Sequence, residues 1–252
     1  MAGSEAVIEI RQLFDLEQFQ DVLRLQQVIW GFADSELLPL RFLVVVTKVG
    51  GHVFGAFDAG LSPKPEMVGF CFAIPGIKAG GRPYLHSHML GVLPAYHNAG
   101  IGRRLKLRQR EDALARGIQL IEWTFDPLEL KNAFFNIERL GAIVRRYSFN
   151  QYGVTASPLH GGLPTDRCTA EWWIDSPRVR QVLEGHTVEH HPQERIAFPV
   201  DIGRIRSDNP ERARHIQQTN GERFQRLFES GLAVTGFERN LAEGTYLLEP
   251  WQ

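Results

Sequence analysis

Cysteine is scarce in this sequence, and neither sign of charge is in excess. Only two cysteines occur among 252 residues, Cys71 and Cys168, and they are far apart without Cys-x-x-Cys spacing. This argues against a disulfide framework and a cysteine zinc cluster, and favours a reducing cytoplasm. The 28 basic and 29 acidic residues give a formal charge of -1. Overall charge therefore offers no attraction to nucleic acid or to an anionic membrane.

Long apolar runs are also missing. No window approaches the ~18 uninterrupted apolar residues that a membrane-spanning helix needs. Residues 1–13 lack the basic segment followed by an apolar one that marks a secretory signal. We therefore expect a soluble cytoplasmic protein with no membrane partner. The 43% of apolar residues are ample for the buried core of one large domain, or of one domain with an appendage.

The hydrophobic pattern predicts strands and helices up to about residue 174. Strands are expected at 7–13, 52–58, 67–74, 84–92, 119–126, 142–152 and 168–174, and helices at 16–30, 38–49, 100–116 and 128–140. Segment 38–49 is β-branched and unbroken, so only Pro39 and the Gly50-Gly51 pair favour a helix there. This order predicts an α+β fold with a mixed sheet and parallel neighbours at its centre.

The rest of the chain is predicted as an addition to that core. Residues 176–207 are polar and irregular, as in a linker or an arm. Asn209 and Pro210 are typical of a helix start, and a terminal hairpin follows. We therefore divide the chain into a core (1–175), a linker or arm (176–207) and a C-terminal helix-and-hairpin extension (208–252).

Two glycines stand at a predicted strand-to-helix corner, in the segment LGVLPAYHNAGIGRRLKLRQR (90–110). The N–H groups and the dipole of a helix N-terminus favour an anion, and glycine lets a phosphate approach the backbone. The corner lacks the Lys-Ser/Thr pair of a Walker loop and the third glycine of a dinucleotide fingerprint. It therefore predicts a site for a phosphate-bearing cofactor other than a nucleoside triphosphate or NAD.

A basic stretch follows the corner. Its members are Arg103, Arg104, Lys106, Arg108 and Arg110. Residues 103, 106 and 110 share a helix face, which would suit nucleic acid. Because Glu111 and Asp112 follow at once and no aromatic residues are interleaved, we expect no nucleic-acid partner and a mostly solvated face over 106–110.

The segment LGVLPAYHNAGIGRRL resembles the central motif of the GNAT superfamily of N-acetyltransferases. In that motif an aliphatic-x-Val-x-Pro strand end leads into (Gln/Arg)-x-x-Gly-x-(Gly/Ala). Gly100 and Gly102 match, whereas His97 stands where the family prefers Gln or Arg. The predicted element order is also that of the family, so the resemblance covers roughly residues 6–174. HSHMLGV and WTFDPLE resemble a larger, poorly characterised subgroup, to which no substrate is attached.

The resemblance implies an acyl-CoA N-acyltransferase fold and acetyl-CoA, or another acyl-CoA, as the cofactor. Its pyrophosphate would lie on the backbone amides of the corner, and Asn132 or Asn136 would contact the pantetheine arm. Arg139 could reach a CoA phosphate, but a solvated helix face explains it equally well. The cofactor-binding residues so implied are Leu90, Gly91, Val92, His97, Asn98, Ala99, Gly100, Ile101, Gly102, Arg103, Arg104, Asn132, Asn136 and Arg139.

The same resemblance implies direct attack of an amine on the thioester, with the oxyanion held by a backbone N–H from about Leu90 to Val92. His86 and His88 share one face of the strand and are either candidate proton acceptors or polar residues with a structural role on a sheet face. Glu122 is a further candidate base, since a carboxylate in an apolar strand needs a partner or a raised pKa.

The general acid is left open. Counted back from Gly141, Ile137 occupies the place of the tyrosine that often protonates the leaving thiolate in the family. Tyr147 and Tyr152 follow on the next strand, so the proton comes from one of them, from water, or not from the enzyme.

Two other constellations favour structural roles. Asp126-Pro127-Leu128-Glu129 is typical of a capping box at a helix start. His186, His190 and His191 include an i, i+4 pair, but no carboxylate or cysteine spacing supports a metal site, so we expect a solvated loop and no metal.

The sequence as a whole therefore favours an acyl-CoA-dependent N-acyltransferase, moving an acetyl group to an amine of unknown identity. The alternative is a catalytically silent acyl-CoA-binding or protein-interaction module on the same fold. Whether residues 176–252 close the acceptor site or form the interface of a homodimer is open.

Overall fold

A computed structural model describes residues 7–60, 65–153 and 162–251. Parts of two predicted loops, residues 61–64 and 154–161, lie outside this described set. The chain forms two compact units, one ending at Ile121 and one beginning at Glu122. The division falls inside a strand and does not coincide with the predicted boundary near residue 175.

The first unit is built on four antiparallel strands in sequential order, β1-β2-β3-β4. Its elements are β1 (Ile8–Gln12), α1 (Leu16–Trp30), α2 (Leu40–Lys48), β2 (His52–Asp58), β3 (Glu66–Ile77), β4 (Pro83–Val92), α3 (Ile101–Ala115) and the first two residues of β5 (Leu120–Phe125). Asp15 is the N-cap of α1, and Gly31, with φ of 68°, ends it. The predicted helix at 38–49 is confirmed, and Pro39 is its N-cap.

Apolar side chains cover both faces of this sheet. One face packs against α1 and α2, where Phe19, Leu43 and Phe72 are fully buried. The other packs against α3, with Phe54 and Leu105 at its centre. Strands buried on both sides explain why β2 and β3 read as nearly continuous apolar runs.

The second unit contains the rest of β5 and a sheet of order β7-β6-β9-β10-β8. Its other elements are α4 (Leu130–Phe134), which continues as a π-helix (Phe135–Arg139), β6 (Ile143–Ser148), β7 (Arg167–Trp173), α5 (Pro177–Leu183), β8 (Glu194–Pro199), α6 (Ile202–Asp208), α7 (Pro210–Glu229), β9 (Leu232–Arg239) and β10 (Glu243–Pro250). Its core is aromatic, and Trp172, Phe198, Phe224 and Tyr246 are fully buried.

The C-terminal helix and hairpin are confirmed. Asn209 Oδ1 accepts a hydrogen bond from the Arg212 N–H at 3.0 Å, and Pro210 is the first helical residue of α7. The expectation of an irregular segment at 176–207 is wrong, since it forms α5, β8 and most of α6. β8 pairs with β10 about fifty residues later, a partner that no local pattern reveals.

Candidate functional site

β4 carries a β-bulge at His88. Phe72 pairs with Met89 and Ala73 pairs with Ser87, so His88 is the extra residue of β4. The rings of His86 and His88 lie 5.9 Å apart, as expected for residues on one face. The His88 ring also packs 5.4 Å from that of Phe72. Burial lowers the pKa of His88, which favours a neutral imidazole at neutral pH.

Beyond the bulge, two backbone N–H groups of β4 point away from β3. The Leu93 N–H donates to the Val68 carbonyl at 2.8 Å, and Val92 is opposite Gly69. Since hydrogen-bonding direction alternates along an antiparallel strand, the N–H groups of Leu90 and Val92 are directed to the other edge of β4. Their predicted contact with the cofactor stays a prediction. Close by, His97 Nε2 lies 3.0 Å from the Val92 carbonyl oxygen.

Three glycines of this region, Gly91, Gly100 and Gly102, differ in the structural reason for having no side chain. At Gly91 a Cβ would approach Trp30 Cη2 to 2.7 Å, so the glycine admits α1. Gly100 is the N-cap of α3 with φ of 74°, a conformation that favours glycine. Gly102 has neither reason. Its φ is not positive, and an added Cβ would meet only Leu90 Cδ2, at an ordinary 3.6 Å.

The corner itself is shaped by backbone conformation. Asn98 adopts φ of 65°, in the left-handed region that asparagine tolerates, and Gly100 offers no side chain to cap α3. Ile101 is buried in the core, so only its backbone is available to a ligand, while Ala99 is exposed. The first N–H groups of an α-helix lack intrahelical partners, so this exposed corner has the kind of donors that an anion site requires.

The two arginines after the corner, Arg103 and Arg104, have different environments. Arg104 Nη2 donates to the Ile8 carbonyl at 2.6 Å, which fixes this guanidinium against β1. Arg103 is half-buried. Their predicted contact with a phosphate stays a prediction.

The expectation that residues 106–110 are mostly a solvated face is wrong. Lys106 and Gln109 are buried, with 3% and 0% of their surface exposed. Lys106 Nζ donates to Ser87 Oγ at 2.8 Å, and Ser87 Oγ donates to Gln109 Oε1 at 3.0 Å. Because Lys106 is buried, residues 103, 106 and 110 do not form the exposed basic stripe that nucleic acid would need.

In the second unit, Glu122 is part of an ion-pair network and not an isolated carboxylate. It is buried, and its Oε1 lies 2.5 Å from Arg146 Nη2. Arg146 also lies 3.4 Å from buried Glu171, which pairs with Arg145 as well. Burial works to lower the pKa of Arg146, but the two carboxylates outweigh it and raise that pKa. Arg146 is therefore the partner that the Glu122 carboxylate, in an apolar strand, was expected to need.

The two candidate tyrosines have opposite environments. Tyr147 is buried, and its hydroxyl donates to Asp166 Oδ2 at 2.7 Å. Burial raises the pKa of Tyr147 far above its ordinary value, and the negative charge of Asp166 is the second largest cause. Tyr152 is 49% exposed, and its hydroxyl lies 3.1 Å from Thr124 Oγ1. Tyr147 therefore has a structural environment, and Tyr152 is the accessible one.

The helix after β5 is shorter and less regular than predicted. Asp126 does not cap it, because α4 begins at Leu130, and the Asp126 carboxylate instead accepts from the Leu128 N–H at 2.8 Å. Burial raises the pKa of Asp126 to about 6. This carboxylate is structural, as expected, but through a turn and not through a capping box.

The residues predicted along that helix are now placed. Asn136 is buried and accepts from Trp123 Nε1 at 3.2 Å, whereas Asn132 is exposed. Arg139 is exposed and lies over the Phe134 ring. Ile137 is fully buried in the π-helix. Of the two asparagines, only Asn132 presents its side chain at the surface of the second unit.

In the histidine-rich segment, as in the rest of the described chain, the side chains do not form a group of three or more His, Cys, Asp or Glu that could hold a metal ion. His186 and His191 are exposed, as expected of a solvated loop. His190 is not: its side chain is 13% exposed, 3.8 Å from Glu138 and 3.7 Å from Glu249.

None of the helices among residues 7–60, 65–153 and 162–251 has the length and apolar character that crossing a bilayer requires.

No protein-family model and no curated sequence matches this chain. Solved structures do match its fold. A Salmonella typhimurium acetyltransferase with its cofactor acetyl-CoA superposes with a TM-score of 0.53 at 17% identity, over 67% of this chain and 95% of that one. A GNAT-family acetyltransferase of Desulfovibrio desulfuricans gives 0.51 at 16%, over 67% and 99%. The ribosomal-protein alanine N-acetyltransferase of Escherichia coli also gives 0.51 at 16%, over 68% and 96%.

Proposed function

We propose that this chain, which has the fold of the GNAT N-acetyltransferases, is an acyl-CoA-dependent N-acyltransferase that moves an acetyl group from its thioester to an amine. Gly102 carries the proposal. Neither its φ nor the side chain that an added Cβ would meet, Leu90, requires glycine, yet glycine inside a helix is up to about 1 kcal/mol less favourable than alanine. A phosphate lying against the backbone explains why no side chain stands there.

Two sets of backbone groups in the first unit would hold acyl-CoA. The N–H groups at the start of α3 would bind the pyrophosphate, with the positive end of the helix dipole behind them. The N–H groups of Leu90 and Val92 point away from β3 and suit the pantetheine arm and the thioester carbonyl. Bound acyl-CoA supplies the activated acyl group.

Proton transfer from the attacking amine is assigned to His88. Burial lowers its pKa, so its imidazole is neutral and able to accept a proton near pH 7. Glu122 is less suited, because Arg146 already pairs with its carboxylate at 2.5 Å. On the acid side, Tyr147 is committed to Asp166, which leaves Tyr152 as the accessible hydroxyl.

A second function is supported by Ile137. It is fully buried where the family's tyrosine is expected, so no hydroxyl is offered there. A chain that binds acyl-CoA without transferring the acyl group fits this observation. Location in the cytoplasm, and use of residues 176–252 to cover the acceptor site or to form a homodimer, belong to the proposal as well.

Thermal unfolding with and without acetyl-CoA tests binding, since a ligand that binds only the folded state raises the Tm. Release of free thiol from acetyl-CoA, measured against a panel of amines, tests transfer. We expect a higher Tm and amine-dependent thiol release. A higher Tm without thiol release for any amine would favour the binding module, and an unchanged Tm would contradict both.

A further inference from the structure

Lys106 is a buried lysine that the proposed function leaves unused. Only 3% of its surface is exposed, although lysine is almost never fully buried without a specific partner. Its Nζ donates to Ser87 Oγ at 2.8 Å, and that hydroxyl donates onward to Gln109 Oε1 at 3.0 Å. The three side chains form one directed chain of hydrogen bonds from α3 to β4 and back.

Ser87, which accepts the hydrogen bond from Lys106, lies next to the bulge of β4. Ser87 immediately precedes His88, the extra residue of the bulge. The strand that leaves the bulge carries the N–H groups of Leu90 and Val92. Lys106 lies one turn after Gly102 on α3. The bond between Lys106 and Ser87 therefore joins the helix of the glycine corner to the strand residue next to His88.

The titratable groups near Lys106 include Cys71 of β3, His52 of β2 and Asp112 of α3. On β3, burial raises the pKa of the Cys71 thiol to about 12, which keeps it uncharged. On β2, burial lowers the pKa of His52, despite its 2.7 Å contact with Asp112. The Asp112 carboxylate lies 2.7 Å from His52 Nδ1 and also pairs with Arg116. Burial lowers the pKa of Lys106 to about 7, so its charge changes within the physiological range.

We propose that Lys106 is a positioning residue: through Ser87 it holds the β4 bulge, and with it His88 and the following N–H groups, most firmly when its amine is protonated. A hydrogen bond from a charged donor is roughly twice as strong as a neutral one. Loss of the proton therefore weakens the link without removing it. This inference rests on the proposed function for its effect on acyl transfer, but its structural part stands independently.

The structural part is tested by nuclear magnetic resonance on the wild-type chain. The Lys106 side chain, labelled with ¹³C at Cε, is titrated from pH 5 to 9 while the backbone amides of His88 and Met89 are followed. We expect one shared transition near pH 7 at all three. If the amide signals of His88 and Met89 do not shift at the pH at which Lys106 titrates, the proposal is wrong, whether or not the protein is an enzyme.

The functional part is tested by Lys106→Met and Ser87→Ala, with Lys48→Met, at an exposed lysine of α2, as the matched control. The ratio of wild-type to variant kcat for thiol release should be about tenfold larger at pH 6 than at pH 9 for both test variants, and constant for the control. A ratio that does not change with pH would show a merely structural lysine. Wild-type protein that binds no acetyl-CoA would instead contradict the proposed function and leave the amide titration to decide on Lys106.

Discussion

Replacing Gly102 with alanine should stabilise the protein and weaken acyl-CoA binding at the same time. Gly102 is the second residue of α3, and the added methyl group would meet only Leu90 Cδ2 at 3.6 Å. No rearrangement is therefore needed. Alanine is preferred over glycine in helices by up to about 1 kcal/mol, so we expect the free energy of unfolding to rise by about 0.5 kcal/mol near this helix end.

The expected effect on the ligand is opposite and larger. If the pyrophosphate lies on the N–H groups at the start of α3, the methyl group occupies the space through which its oxygens approach. Loss of one hydrogen bond to a charged group is worth about 1.5–3 kcal/mol. At about 1.4 kcal/mol for each factor of ten, the Kd for acetyl-CoA should rise by at least about tenfold.

Gly203→Ala is the matched control for this experiment. Gly203 is also the second residue of its helix, α6, and nothing lies within 4 Å of an added Cβ. It should gain the same small stability without a change in Kd. Gly100→Ala should lose about 1 kcal/mol, because φ is 74° there.

Urea unfolding without ligand and calorimetric titration with acetyl-CoA measure the two quantities separately. Equal Kd values for Gly102→Ala and the wild type would refute the assignment of the phosphate to this corner. Lower stability of Gly102→Ala without ligand would refute the argument from open space around the Cα.

Three further results are expected in the second unit. Tyr147→Phe leaves the buried Asp166 without its hydroxyl donor, which should lower the free energy of unfolding by about 1.5–3 kcal/mol and leave kcat unchanged; a large fall in kcat would make Tyr147 catalytic. Tyr152→Phe should show the reverse, a kcat lowered by about tenfold or more with unchanged stability. The pKa of Asp126 is raised to about 6, so the wild type loses stability as pH rises from about 4 to 6. The Asp126→Asn variant, whose side chain still accepts from the Leu128 N–H, should avoid this loss of about 3 kcal/mol in the free energy of unfolding above pH 6. Urea unfolding of both proteins at a series of pH values measures it, and the same pH dependence in both would contradict the prediction.

The order of elements up to residue 174 was predictable because its signals are local. Gly31, Gly117 and Gly141 all adopt positive φ, and each ends a helix where the sequence places the break. Apolar periodicity between such breaks is a property of single segments. The helix after β5 was predicted less well, because the π-helix at Phe135–Arg139 has no local signature.

The site was only partly predictable, because its details depend on distant partners. Lys106 stands in a polar, arginine-rich stretch and reads as solvated; its burial depends on Ser87, nineteen residues earlier on β4. Tyr147 reads as an accessible strand residue until Asp166 is brought to its hydroxyl. The two corner glycines are alike in sequence, and only φ and surrounding space separate Gly100 from Gly102.

The strand order of the second unit has a consequence for the timing of folding during synthesis. β9 and β10 lie between β6 and β8, so neither β6 nor β8 gains its neighbour on that side until residues 232–250 have left the ribosome. The first unit pairs its strands in the order in which they are made, and its sheet closes about 140 residues earlier. Pairing between distant segments slows folding, and exposed strand edges invite aggregation in the meantime. The second unit is therefore the part of the nascent chain that most needs protection.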